Sequence, residues 1–150
     1  MSSAHWLKNS PDVIARFDKQ NRHIYINPAA AEFYGSPPEE IIGKINHELR
    51  IDLETAKFLE KQRENVFTTG KKKIMEFHYT SPQGKEYYFN TQIVPEFVDG
   101  EVNSVLAISH DITDLIEAEI RLKETLDSLK AVLKFKSILQ LDSKYVLCWL

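Results

Sequence analysis

Residues 72–113, "KKIMEFHYTSPQGKEYYFNTQIVPEFVDGEVNSVLAISHDIT", hold three runs rich in β-branched and aromatic residues with a turn signal in each gap. The joint "SPQG", residues 81–84, puts Pro second and Gly fourth, as a four-residue turn favours, and "VDGE", residues 98–101, is an Asp-Gly hairpin signal. The pattern predicts an antiparallel meander of three strands. Because successive side chains point to opposite faces, the meander sorts its residues into two sets.

Upstream, "DVIARFD" and "HIYIN" are short strand-like runs joined by the polar "KQNR". The pattern then turns helical at "NPAAAEFYG", with Asn27 as cap, Pro28 in the first helical position and Gly35 as stop. "SPPEEIIG" repeats that logic, with Ser36 as the expected cap and Gly43 as the stop. From Leu53 to Thr69, the apolar residues Leu53, Ala56, Leu59, Val66 and Phe67 recur at helical spacing, and Gly70 closes the segment. Two strands, a set of helices and a three-strand meander make an α+β arrangement with the helices gathered on one sheet face.

Composition narrows the function. The 150 residues are 43% hydrophobic and 11% aromatic, enough for one domain with its own core. Nineteen basic and twenty-two acidic residues give a net charge of −3, and no basic cluster interleaves with aromatics, which argues against a nucleic-acid partner. The single cysteine, Cys148, excludes an internal disulfide framework, and no apolar run is long enough to insert in a membrane. A soluble cytoplasmic domain is expected.

The order of these parts resembles a PAS domain with its C-terminal PAC segment, over roughly residues 10 to 120. The pieces that carry the likeness are "IYINPAAAEFYG", "EEIIGK" and "TTGKKKIMEFHYTSPQGKEYYFNTQIVPEFVDGEVNSVLAISHDIT", closing on Asp111, Ile112 and Thr113. The resemblance implies a five-stranded antiparallel sheet in the order 2-1-5-4-3, helices over one face around a small pocket, and a C-terminal amphipathic or coiled-coil helix. It sets a flank at residues 1–10, the PAS domain at 11–113, and a signalling or dimerisation helix with an apolar tail at 114–150. It also orients the strands. Tyr87, Phe89, Thr91 and Ile93, with Met75, Phe77 and Tyr79 and with Val105, Ala107 and Ser109, should face the pocket. The outer face then carries Tyr88, Val94, Leu106 and Ile108 beside Asn90, Gln92, Ser104, His78 and His110. That set is too apolar for water, so Trp6 and Leu7, the C-terminal helix or a second subunit should cover it.

Catalytic and cofactor chemistry finds little support. His110 and Asp111 are strand neighbours and point to opposite faces, so they do not form a general base with its orienter. His78 and His110 share the outer face, but in the implied strand order another strand separates them. Two spacings of about 4.8 Å are too far for one ion, and no metal site is expected. Haem-bearing relatives use a histidine on the long helix, and Glu48 to Gly70 has none. Flavin-binding relatives use a cysteine where this chain reads "GKINHELR", and His47 there is expected to be a loop residue. The glycines are isolated, so there is no phosphate loop. The expected pocket lining has no carboxylate or histidine, which argues against an enzyme.

What is left is an aromatic pocket with Tyr79, Thr91 and Ser109 as polar handles. Buried hydroxyls need partners, supplied by each other, by water or by an unidentified small ligand, and the alternative is that the aromatics simply fill the core. Beyond Asp111 the strand feeds a helix that Thr113 or Asp114 should cap, with Asp114 and Glu117 at capping-box spacing. Leu115, Leu122, Leu126, Leu129 and Leu133 follow at spacings of seven, four, three and four, a coiled-coil seam that Glu119 interrupts. The alternative is an amphipathic helix folded back on its own sheet.

The expected function is a sensory module that passes a change in its pocket through the sheet and helix to an output domain, by family likeness a histidine kinase of a two-component system. The alternative is a ligand-free dimerisation adaptor. No histidine follows His110 to accept a phosphoryl group, and the chain has no room for an ATP-binding kinase domain. The ending "KSILQLDSKYVLCWL" reads either as a truncated linker or as a segment buried in a partner. The expected partners are a second copy of the chain and the output domain.

Overall fold

The computed structural model describes the backbone of residues 2–149 and the side chains of residues 5–140. The chain divides into two compact units, one ending at Thr113 and one beginning at Asp114.

The first unit contains helix α1 (Ser2–Asn9), strands β1 (Val13–Phe17) and β2 (His23–Ile26), and helices α2 (Pro28–Tyr34) and α3 (Pro38–Ile41). A 3-10 turn (Asn46–Glu48), helix α4 (Leu53–Thr69), and strands β3 (Lys73–Thr80), β4 (Glu86–Val98) and β5 (Glu101–Asp111) complete it. The sheet is five-stranded and antiparallel in the order β2-β1-β5-β4-β3. Strand β4 pairs with both of its neighbours. Tyr79 lies opposite Tyr87, Phe77 opposite Phe89, and Thr91 opposite both Met75 and Ser109. The β4–β5 turn places Asp99 at φ 51° and Gly100 at φ 80°, the two left-handed residues that a tight hairpin requires.

One buried side chain organises the N-terminal half. Asn27 is fully buried, and its Oδ1 accepts from the backbone N–H of Ala30 at 3.0 Å and of Ile14 at 3.1 Å. Its Nδ2 donates to the carbonyls of Asp12 at 2.8 Å and Leu7 at 3.2 Å. The amide thus caps α2, fixes β1 and holds the end of α1. Ser36 does not cap the next helix as the sequence suggested. Its N–H donates to the Ala31 carbonyl at 3.3 Å, part of the left-handed ending of α2 at Gly35, so the cap position of α3 falls on Pro37. Asp52 caps α4 through the Thr55 N–H at 2.9 Å.

The core lies between the helices and one sheet face, where Ala15, Phe17, Ile26, Ala30, Ile41, Val66, Ile93 and Val105 are buried together. On the opposite face Tyr88, Val94, Leu106 and Ile108 are half-buried. There Arg16 forms a bidentate pair with Glu96, at 2.6 and 3.0 Å, which Ser104 supports from 2.9 Å. Of the N-terminal residues expected to cover this face, Trp6 is 54% exposed and Leu7 is half-buried.

The joint that ends the first unit also departs from expectation. Thr113 is already helical, and the capping acceptor is Asp111, whose Oδ1 takes the Thr113 N–H at 2.9 Å. The Thr113 hydroxyl donates to Asp111 and accepts from the Tyr88 N–H at 3.0 Å, while the Ile112 N–H donates to the Tyr88 carbonyl at 2.8 Å. Both backbone groups of Tyr88, at the end of the β4–β5 ladder, are satisfied this way.

Helix α5 (Thr113–Trp149) starts at the joint and forms the second unit from Asp114 on. Leu115, Leu122, Leu126, Leu129 and Leu133 are each about half exposed. At about 100° per residue they fall within an arc of about 60°. Exposed Phe135 and Ile138 lie off that stripe. The side chains from residue 141 on, including Cys148 and most of the apolar ending, lie outside the described residues.

His23 provides a measurable signature of the packed core. It is fully buried, with its ring 4.4 Å from Phe17 and 5.4 Å from Tyr34. Its Nδ1 donates to the Lys44 carbonyl at 2.7 Å, which leaves Nε2 to accept from the Tyr34 hydroxyl at 3.1 Å. Burial, reinforced by the charge of Arg63 and partly opposed by the Lys44 carbonyl, pushes its pKa down to about 4. Between pH 6.5 and 4 the unfolded chain therefore binds a proton that the folded chain refuses. Stability present at neutral pH should fall by about 3 kcal/mol through that window. Urea midpoints at pH 7 and pH 4.5 check this: His23→Gln should flatten the drop, and an equally steep drop in that variant would contradict it.

Candidate functional site

Between the inner sheet face and α4 lies a cavity of about 50 Å³. Met75, Phe77 and Tyr79 from β3, Phe89, Thr91 and Ile93 from β4, and Ala107 and Ser109 from β5 all line it. Val105 does not: it is fully buried one pleat along β5, opposite Phe17, and belongs to the core. Tyr87 packs beside the cavity, stacked on Phe89 at 5.9 Å. Phe33 on α2 stands edge-on to both Phe89, at 5.4 Å, and Tyr87, at 5.6 Å. These rings make one aromatic wall with specific edge and stacking contacts.

Two of the expected polar handles satisfy each other. The hydroxyls of Thr91 and Ser109 lie opposite across the β4–β5 ladder and hydrogen-bond at 2.8 Å. Tyr79 points its hydroxyl to the Arg50 carbonyl at 3.4 Å, and burial raises its pKa.

The helices add polar groups that the strand pattern did not reveal. On α4, Thr55, Leu59 and Arg63 follow at four-residue spacing and line the cavity together, as one helical stripe does. Arg63 is buried, 3% exposed, with its guanidinium carbon 3.9 Å from the centre of the Phe17 ring. Its Nε donates to Asn21 Oδ1 at 2.8 Å. Among the described residues no carboxylate forms an ion pair with it. Burial lowers its pKa to about 10, opposed by Tyr34, Glu60 and Glu64, so it stays charged at neutral pH. Tyr34, also on the lining, is pushed up to about 12 by burial. Asn46, from the 3-10 turn, completes the polar side. Two atoms of this group, Arg63 Nη2 and Asn46 Oδ1, are buried without a hydrogen-bond partner among the described residues.

Three other histidines pair with carboxylates. His110 reaches not Asp111 but Asp12, at 2.7 Å on the exposed side, a partner almost a hundred residues away in sequence that no local pattern announces. His78 pairs with Glu86, and His47 with Glu60 at 2.7 Å. Strand β4 lies between the strands of His78 and His110, and no cluster of three or more candidate metal ligands occurs among the described residues. The cavity lining includes neither a carboxylate nor a histidine among those residues.

Residues 7–117 match the family model described as PAS fold. Solved structures share the architecture at low identity. VqmA of Vibrio cholerae, described as a LuxR-type receptor dimer, aligns with a TM-score of 0.68 and 20% identity over 76% of this chain and 52% of that one. The phage VqmA–DPO complex aligns at 0.66 and 22% over 83% of this chain and 58% of that one. The PAS domain of BvgS from Bordetella pertussis aligns at 0.63 and 18% over 83% of this chain and 96% of that one. The chain thus spans about half the length of the VqmA chains it matches. No curated protein matches the sequence.

The hydroxyl pair in the cavity wall gives a direct check on this geometry. Thr91→Val or Ser109→Ala alone should each cost about 1 kcal/mol, because the surviving hydroxyl loses its partner. The double variant should cost clearly less than the sum in denaturant unfolding. Additive losses would show that the two groups do not depend on each other.

Proposed function

The chain belongs to the PAS family, and from that premise we propose that it is a sensory module whose cavity takes a small molecule and whose β5–α5 joint passes the change onward. PAS domains are in general non-catalytic sensors. The observation that carries the reading is the aromatic cavity whose lining includes Arg63 and Asn46, two residues that each keep one buried polar atom without a partner among the described residues. Buried polar groups are normally satisfied, so a ligand group is the natural complement. VqmA, which shares the fold, occurs in complexes with DPO, which supports a ligand-binding use of this architecture.

Transmission would follow the ladder. Ser109 and Phe89 line the cavity, and the next stops along their strands are Asp111, Ile112 and Thr113 on one side and Tyr88 on the other. These four residues form the hydrogen-bonded joint from which α5 starts. A ligand that prefers one placement of Phe89 or Ser109 biases the joint by its difference in affinity for the two states. The output is then a domain attached to α5, a histidine kinase of a two-component system or a transcription regulator of the VqmA kind. Its location is the cytoplasm.

The leucine stripe of α5, from Leu115 through Leu122, Leu126 and Leu129 to Leu133, suits pairing with a second copy of the chain. A second reading makes the domain a ligand-free adaptor that associates through Tyr88, Val94, Leu106 and Ile108 instead; their half-buried apolar surface favours it. Sedimentation separates the two. Leu122→Glu with Leu126→Glu should turn a dimer into a monomer on the sensor reading and leave it intact on the adaptor reading, where Ile108→Glu should break it.

Coupling between cavity and joint is tested by hydrogen exchange. Ser109→Leu fills the cavity from the β5 side and should speed exchange of the Tyr88 and Ile112 amides at least tenfold relative to those of β2. Unchanged rates at the joint in a variant that still folds would refute the proposed route.

A further inference from the structure

We infer that the cavity is built for a compact hydroxylated monocarboxylic acid, its carboxylate held by Arg63 Nη2 and its hydroxyl donating to Asn46 Oδ1. The inference rests on the reading of the cavity as a ligand site and adds the class of ligand. A guanidinium buried without a direct carboxylate contact is costly, and the longer-range support of Glu60 and Glu64 leaves its Nη2 without a hydrogen bond. The Nε of Arg63 and one face of its plane are already committed to Asn21 and the Phe17 ring. Nη2, buried and without a partner among the described residues, is a donor for an incoming anion.

The rest of the lining fixes the other features. Arg63 is the only Lys or Arg on it among the described residues, so a single negative charge is matched. Asn46 Oδ1 accepts, and therefore calls for a donor on the ligand. With no carboxylate on the lining among the described residues, an ammonium would be buried unpaired, which selects a neutral hydroxyl. Thr91 and Ser109 are spent on each other and do not compete. The aromatic wall of Phe77 and Phe89 receives an apolar body. The cavity of about 50 Å³ admits only a few heavy atoms before those side chains must give way, which excludes nucleotides and peptides.

The test is an amide NMR titration of the folded protein with three matched sets: lactate and mandelate, their neutral amides lactamide and mandelamide, and the deoxy acids propionate and phenylacetate. At least one hydroxy acid should give saturable shifts at Asn46, Arg63 and Thr91, bind about 10- to 100-fold more tightly than its amide, and exceed its deoxy counterpart by a smaller factor. Arg63→Met should erase the preference for acid over amide. Asn46→Asp, nearly isosteric, puts a carboxylate on the same lining and should also erase it, which keeps the test decisive if Arg63→Met does not fold. Amides that bind as well as acids would overturn the acid assignment while the cavity kept its ligand-binding reading. If no probe in the panel perturbs these residues, the assignment is likewise overturned. A molecule of another class found bound to the protein would then leave the sensing reading standing.

Discussion

The register along β4 is the constraint on which the other features depend. This strand pairs with β3 along the length of β3 and with β5 in unbroken register from Phe89 to Glu96, and a slip of one position would exchange its two faces. Phe89, Thr91 and Ile93 would then leave the cavity, and Tyr88 would lose the joint with Ile112 and Thr113. The inner face gives the protein its aromatic wall, and the outer face its Arg16–Glu96 pair and a half-buried apolar surface. The same alternation therefore builds the candidate sensor and sets where the last strand hands over to α5.

Against that wall the helices contribute the one element that an ordinary core would avoid. Arg63 occupies a core position with no direct ion pair among the described residues, held by an aromatic face and an asparagine and supported at longer range by Glu60 and Glu64. Removing a partner from a buried charge commonly costs about 3–5 kcal/mol, so such a group is an expense unless something outside the chain completes it. Asn27 shows the contrast. It is equally buried, but every polar atom on its side chain is engaged, and its role is accordingly architectural. Satisfied and unsatisfied polar groups in one small domain separate the scaffold from the site.

Much of this was legible in the sequence, for identifiable reasons. Period-two alternation and the SPQG and VDGE turns determine the meander, and Asn27-Pro28 and Gly35 mark α2 because cap chemistry is local. The cavity's strand wall follows from parity once the family likeness says which face is inward, with two exceptions: Val105, one pleat deeper in the core, and Tyr87, which packs beside the cavity. The polar side was not read, although a signal existed: in the α4 stripe Ala56, Leu59, Arg63 and Val66 follow at spacings of three, four and three, so helical periodicity places a cation where core is due. Asn46 carried no comparable mark, since a single three-residue 3-10 turn is too short to show which residue faces inward. The Asp12–His110 contact and the Tyr88–Thr113 bond at the joint depend on segments brought together only by the fold, whereas the Asp111 cap is a local contact that the sequence did offer.

Native mass spectrometry of the purified protein, before and after incubation with the small-molecule fraction of a cell extract, tests the central claim most directly. The account predicts one discrete added mass per chain that disappears on denaturation and is absent when the cavity is blocked by Ser109→Leu. A chain that keeps its bare mass under every condition, or an adduct that the blocked cavity retains equally well, would contradict it.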